Sequence, residues 1–536
     1  MSLSSEQQLS PRTVFATMAG AMIAMFMASL DQTIVGTAMP RIISELNGFE
    51  HYSGVITAYL IASTVAVPIV GKMSDIYGRK FFLLFGVIWF VLASALCGIS
   101  QSMLQLVAFR GLQGIGAGVI QTMAQSTTAD LFPPAKRGRV IGFMAAVFGL
   151  SSVVGPLIGG FLTDGPGWRY AFYVNVPIGV FAVLILLLFF PHVKPKKDEG
   201  FRIDYFGVVT LVAGVIPFLL ALSWGGRDYP WTSNLILGLL AASVFFGTLF
   251  FREEFRASHP ILPLALFRNS IFSISVTSAS LISAAMFGAV LFIPLYVQSV
   301  LGTSATESGK TLVPMTLSML ASAVVTGQAI SRFEKSKPFA IFGIAVSALG
   351  LFLLSTMNES TSYNTVVLYV IILGTGLGAS LPVFSLSVQN STENRFIGTA
   401  TSTLQFMRTI GGSLGVAIFG TVLVNQFGSA FHRGIPSEVL GGLSPEQLSS
   451  LNNPQSYLTS GSAKQMETLF SGSGPYTHRL LILIHHAAQI GLAEALHDVF
   501  LIAAGLLLVA IVLTLFLREL PLRKTHKPEV LSESGL

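Results

Sequence analysis

The chain has 536 residues, 52% of them hydrophobic and only 10% charged, with a mean hydropathy of +0.71. Soluble domains carry roughly 25% charged residues, so this chain cannot cover a water-facing surface and lipid must solvate most of it. The single cysteine, Cys97, lies in an apolar run and excludes an intrachain disulfide or a cysteine metal cluster.

From the N-terminus, about a dozen polar residues precede an apolar stretch that runs past Val35. It is too long for a signal-peptide core and lacks a persuasive cleavage site, so it reads as a first membrane span. A crossing helix needs about 20 predominantly apolar residues. That length places spans near 13–38, 54–73, 81–100, 104–130, 140–163, 171–191 and 205–223. Further spans follow near 234–252, 271–297, 309–331, 339–357, 365–390, 398–424 and 496–517. The runs lack period-2 alternation and are twice the length of a barrel strand, which excludes a β-barrel. The expected fold is an all-α membrane protein.

Lys and Arg accumulate on the cytoplasmic side of a membrane protein. With the N-terminus inside, 22 of the 31 fall on one face and six on the other, leaving Arg110, Lys310 and Arg408 within spans. Both termini are therefore expected in the cytoplasm, and the net charge of +6 needs no nucleic acid to explain it. The chain also repeats itself. GKMSDIYGRK, starting at Gly71, is echoed by GQAISRFEKSK, starting at Gly327, and the same offset relates Gly142 to Gly398, Gly155 to Gly411, Gly159 to Gly415 and Arg139 to Arg395. Two halves of six spans with an inserted pair account for this spacing: a first bundle over 1–192, inserted helices over 193–270 and a second bundle over 271–536. Parallel repeats of this kind occur in transporters whose bundles rock about a central site.

Asp31 is the only acidic residue well inside a span. A carboxylate in hydrocarbon is costly, so it faces a cavity, pairs with a cation or takes a proton. Reversible protonation suits proton coupling, while permanent pairing would only hold helices together. Arg110 lies at a similar depth and is the expected partner. Along its helix, Arg110 shares a face with Gly114, Gly118, Gln121 and Gln125. Gln113, Gln121 and Gln125 are taken as a substrate-cavity wall, with Gln405 and Arg408 near the midplane of a late span. Lys310 reads as a snorkelling side chain near the outer interface.

In the Gly71–Lys80 loop, Gly71 and Gly78 permit close approach and a tight turn. Asp75 can accept from backbone N–H groups or from Arg79, which suits a latch between bundles. GLSSVVGPLIGG has Gly149, Gly155, Gly159 and Gly160 with Pro156, a combination suited to a helix on which bundles pivot or seal.

These segments, together with LDQTIVGTAMP (30–40), RGLQGIGAG (110–118), WRYAFYVNVPIG (168–179) and TATSTLQFMRTIGGSLG (399–415), resemble the major facilitator superfamily, in particular the fourteen-span drug:proton antiporters of the EmrB/QacA type. The resemblance implies the major facilitator fold, two six-helix bundles plus two inserted transmembrane helices. It implies proton-coupled export with Asp31 in the coupling position, an antiporter motif at Gly155 and Pro156, and an outward-open state stabilised by Asp75 and Arg79. Relatives that export dications carry further acidic residues in late spans, absent here, and Lys310 stands where relatives have an apolar residue.

An external loop is expected over about 425–495, with a capping box at SPEQ (444–447). The favoured function is a proton-coupled multidrug efflux antiporter of the cell membrane. It would act as a monomer, by alternating access, on hydrophobic or amphiphilic small molecules. Export of a lipid, glycolipid or peptide is the first alternative, and a non-transporting sensor or scaffold the second. No metal-ligand cluster, nucleophile elbow or phosphate-binding loop occurs, so neither an enzyme nor a cofactor or metal site is expected.

Overall fold

The computed structural model describes residues 10–46, 52–191, 204–226, 228–257, 259–303, 305–434 and 477–519. Among them the architecture is helical, without strands. The first half holds α1 (Pro11–Leu46), α2 (Tyr52–Tyr77), α3 (Arg79–Gly98), α4 (Met103–Leu131), α5 (Pro134–Asp164), α6 (Tyr170–Tyr173) and α7 (Asn175–Phe189). The inserted pair is α8 (Tyr205–Trp224) and α9 (Asn234–Glu254). The second half holds α10 (Ser270–Ser299), α11 (Ala305–Phe333), α12 (Lys337–Ser355), α13 (Tyr363–Ser391), α14 (Ile397–Gly434) and α15 (Thr477–Leu515). Among the described residues, fourteen helices are long and apolar enough to span a bilayer, α6 and α7 together forming one span.

Side-chain caps start several of these helices. Ser102, Asp204, Ser233, Asn269 and Ser362 each accept a hydrogen bond from a backbone N–H in the first turn of the helix that follows. The two halves have separate cores, one built around Met25, Phe90 and Met123 and the other around Phe292, Leu373 and Phe500. The inserted pair covers the seam between them: Leu211 and Phe250 pack with Val67 of α2 and Phe406 of α14. Thr57 meets Ser223 at 3.0 Å, and Trp231 donates to Thr421 at 3.0 Å.

The 425–495 loop expectation needs correction at both ends. α14 continues to Gly434 and α15 begins at Thr477. The two extensions pack on each other through Phe427, Phe431, Ile484, Ala487 and Leu492. Arg433 and Glu494 pair across them at 2.7 Å. Apolar burial against a neighbouring helix, rather than lipid, sustains these turns. The SPEQ capping box lies outside the described residues.

Candidate functional site

α1, α2, α3, α4 and α7 converge on Asp31, which has no exposed surface. Arg110 Nη1 donates to Asp31 Oδ2 at 2.5 Å and to Gln113 Oε1 at 2.6 Å. Gln113 Nε2 donates to Asp31 Oδ1 at 2.9 Å, and Asn175 Nδ2 donates to the same oxygen at 2.8 Å. Both amides also reach Ser94 Oγ, at 3.1 and 2.9 Å. The guanidinium lies 4.1 Å from the centre of the Tyr59 ring, a cation–π contact. Tyr59 in turn donates to Ala28 O at 3.2 Å.

A buried ion pair is sustained only when further hydrogen bonds satisfy both partners. Asp31 receives three, while Arg110 Nε and Asn175 Oδ1 have no hydrogen-bond partner among the described residues. The cluster is thus nearly, but not fully, satisfied.

Gln113, expected at a cavity wall, is instead fully enclosed in this cluster. Asn175 and Ser94 were not foreseen as site residues. Asn175 interrupts an apolar run and could have been noticed on that ground, whereas a serine in a span carries no such signal. The other members of the α4 face divide by chemistry. A Cβ at Gly114 or Gly118 would overlap the carbonyl oxygens of Tyr59 and Ser63, so these glycines let α4 lie directly on the α2 backbone. Gln121 and Gln125 are half-buried at the boundary between halves. Gln405 Nε2 donates to Gln121 Oε1 at 3.3 Å, and Gln389 Nε2 to Gln125 O at 3.5 Å.

Arg408 stands one turn from Gln405. It is half-buried, its Nε is enclosed without a hydrogen-bond partner, and it makes no ion pair among the described residues. Lys310 is exposed.

At the end of the bundle that carries the Gly71–Lys80 loop, Asp75 crosses between halves. Its Oδ1 accepts from Gly398 N at 3.0 Å, and its Oδ2 accepts from Thr399 N at 2.8 Å and Thr399 Oγ1 at 2.9 Å. These are the first amides of α14, where free N–H groups and the helix dipole favour an anion. Arg79 donates to Asp75 at 3.2 Å and also pairs with Asp130 of α4. Gly71 is in backbone contact range of Gly398, and Gly78 turns the chain with φ 94°. Arg137 adds a bond to Asn390 at 3.4 Å. The hydrogen bonds that join the two halves at Asp75, Gln125, Arg137 and Gln121 lie between the Gln121–Gln405 level and this end.

On α5, a Cβ at Gly155 or Gly159 would overlap Thr33 or Thr37 of α1, whereas Gly149 faces Thr316 of α11 and Gly160 faces open space. Pro156 sits within the helix. This stretch of α5 therefore joins α1 on one side and the other half on the other.

The family model for the Major Facilitator Superfamily matches residues 21–416. The chain belongs to the major facilitator superfamily. Two Bacillus subtilis proteins are similar to it over most of their length. The multidrug transporter protein MdtP is 38% identical, the match covering 97% of this chain and 96% of that protein. Multidrug resistance protein 3 is 36% identical, with 83% and 86% covered. Solved facilitator structures share the fold. The human organic anion transporter MFSD10 aligns with a TM-score of 0.62 at 14% identity, over 94% of this chain and all of that one. The proton:xylose symporter XylE aligns at 0.60 and 13%, over 95% and 97%. The chain is a multi-pass membrane transporter with efflux-pump relatives, and not an enzyme.

Proposed function

We propose that this protein is a proton-coupled multidrug efflux antiporter of the cell membrane, exporting hydrophobic or amphiphilic small molecules by alternating access. The observation that carries this reading is the sealed Asp31–Arg110–Gln113–Asn175 cluster in one half of the transporter. Intramembrane carboxylates are costly and mark proton or ion pathways. Protonation of Asp31 releases Arg110 and loosens the contact of α1 with α4 and α7, which couples the proton to the bundle's shape. Gln121, Gln125, Gln405 and Arg408 line the substrate path between halves. With the latch end placed in the cytoplasm, the interhalf bonds close the inner side and the path opens outward. The antiporter motif of α5 moves against α1 at Gly155 and Gly159. The multidrug names of its relatives support the cargo class.

Proteoliposomes with an imposed proton gradient test this reading across a panel of hydrophobic, amphiphilic, lipid and peptide compounds. Gradient-driven export of several unrelated amphiphiles is expected, together with counterflow of protons. Gradient-independent movement would sink the coupling, and export of a lipid or peptide alone would replace the cargo.

A further inference from the structure

The repeat places a second, incomplete latch on the opposite seam. At the 256-residue offset that relates Gly71 to Gly327, Asp75 corresponds to Ser331 and Gly78 to Glu334. The backbone keeps the correspondence: Gly78 has φ 94° and Glu334 φ 57°, the latter the one non-glycine residue with positive φ among the described residues. A side chain held there costs about 1 kcal/mol or more, so the turn is retained against local preference. Gly327 lies as close to the backbone of α5 at Gly138 as Gly71 lies to that of α14. What differs is the charge. Ser331 brings a hydroxyl where the first latch has a carboxylate, and its Oγ is buried without a hydrogen-bond partner.

Opposite Ser331 the seam is basic. Arg139 of α5, with Gln328, Ser331 and Arg332 of α11, lines an open cleft of about 360 Å³. Neither arginine makes an ion pair among the described residues. Their guanidinium groups lie over the Phe143 and Phe333 rings, at 5.7 and 6.0 Å. Those rings are 41% and 61% exposed, so an apolar, lipid-facing surface borders the cationic cleft. Basic pockets between spans on the cytoplasmic side suit anionic headgroups.

We propose that this cleft binds the phosphate of an anionic phospholipid headgroup, which supplies at the α5–α11 seam the negative charge that Asp75 supplies at the α2–α14 seam. Arg139 and Arg332 pair with the phosphate oxygens, Ser331 Oγ and the Gln328 amide donate to them, and Phe143 and Phe333 meet the acyl chains. The lipid bridges the two halves at the latch end and favours the state closed there. The site is independent of which compound is exported.

Spin labels at Lys136→Cys and Lys335→Cys, both exposed and on opposite sides of the cleft, report the separation of α5 and α11 in the full-length protein. The vesicles are phosphatidylcholine alone, or an equal mixture with phosphatidylglycerol. The anionic mixture is expected to raise the ratio of short to long distances roughly five- to thirtyfold, the range that one to two arginines supply at an anionic surface. Arg139→Gln combined with Arg332→Gln should abolish that dependence. Ser331→Asp should produce the short distance in phosphatidylcholine alone, because the carboxylate is then supplied by the chain. A wild-type ratio that ignores phosphatidylglycerol overturns the proposal, as does a lipid effect that survives in the double glutamine variant. Inorganic phosphate added to neutral vesicles should do nothing; if it reproduces the shift, a soluble phosphate and not a lipid is the ligand.

Discussion

The two halves share a joint and differ in what they enclose. In the first, α4 lies on α2 through Gly114 and Gly118, against the carbonyls of Tyr59 and Ser63. In the second, α13 lies on α11 through Gly374 and Gly378, against the carbonyls of Met315 and Met319. The same joint recurs, glycine for glycine. Around it, Asp31, Tyr59, Ser94, Arg110 and Gln113 correspond in helix position to Phe287, Met315, Leu351, Val370 and Leu373. Four of these five replacements lie in the apolar core of the second half. A bundle of this shape therefore closes around the same joint without a buried ion pair there. The ion pair in the first half is not demanded by packing, and a desolvation cost of several kcal/mol per ion is borne there for another reason.

The largest effect is expected from Asp31→Asn. Proton-driven export in proteoliposomes should fall to background, since the titratable group is gone. The structure adds a second consequence: Arg110 loses its counter-ion while remaining buried, which costs about 3–5 kcal/mol when one partner of a buried pair is removed. Thermal unfolding in detergent should show this. Arg110→Gln introduced together with Asp31→Asn should recover most of the stability and none of the coupling. Recovery of export by the double variant would mean that the cluster is only a structural pair, and the contrast between halves would lose its functional meaning.

The contrast was partly legible in the sequence. Each apolar run of about 20 residues announces a span by length alone, so all fourteen are found where expected, most within a few residues, though α1 and α14 run on well past residues 38 and 424 and the final span begins early. That span starts near His486 rather than residue 496, because α14 and α15 lengthen against each other beyond the apolar window. Asp31 and Arg110 stood out because charge is rare in such a chain. Gln113 was misplaced because its face depends on the neighbour: three residues from Arg110, it follows the guanidinium inward. Ser94 and Tyr59 carry no signal, since a serine or tyrosine in a span is ordinary and only the convergence of five helices gives it a role. The crossing of Asp75 to the α14 amides is a contact between residues more than 300 apart, for which no local pattern exists.

An intermediate effect is expected at that crossing. Asp75→Asn keeps the shape but removes the charge facing the start of α14, an interaction worth about 0.3–2 kcal/mol. The population closed at the latch end should fall several-fold. Labelling rates at cysteines placed on the half-buried side chains of Gln121 and Gln125 would read the change. Unchanged rates would show that the α5–α11 seam alone holds that end shut. Ser331→Ala, which removes only an unpartnered hydroxyl, should leave the same rates nearly untouched in neutral lipid.

The smallest effect, and one of opposite sign, is expected at Arg408. Asp31 and Arg110 hold each other, so removing either exposes the other's charge. Arg408 makes no ion pair among the described residues, and the buried carboxylates nearest the membrane centre and the seam are held elsewhere: Asp31 in its cluster, Asp75 by α14 and Arg79, Glu254 by the amides of Ile261 and Leu262. Removing a half-buried charge that has no ion-pair partner among the described residues strands no opposite charge in the interior. Arg408→Gln should therefore leave stability unchanged or raise it, by about 1 kcal/mol at most, while altering which compounds of the panel are exported. Under the coupling proposed for Asp31, proton-driven transport should persist for the compounds still exported. A loss of stability comparable to that of Asp31→Asn would reveal a hidden partner for Arg408 and give the second half a charged core of its own, erasing the asymmetry between the halves.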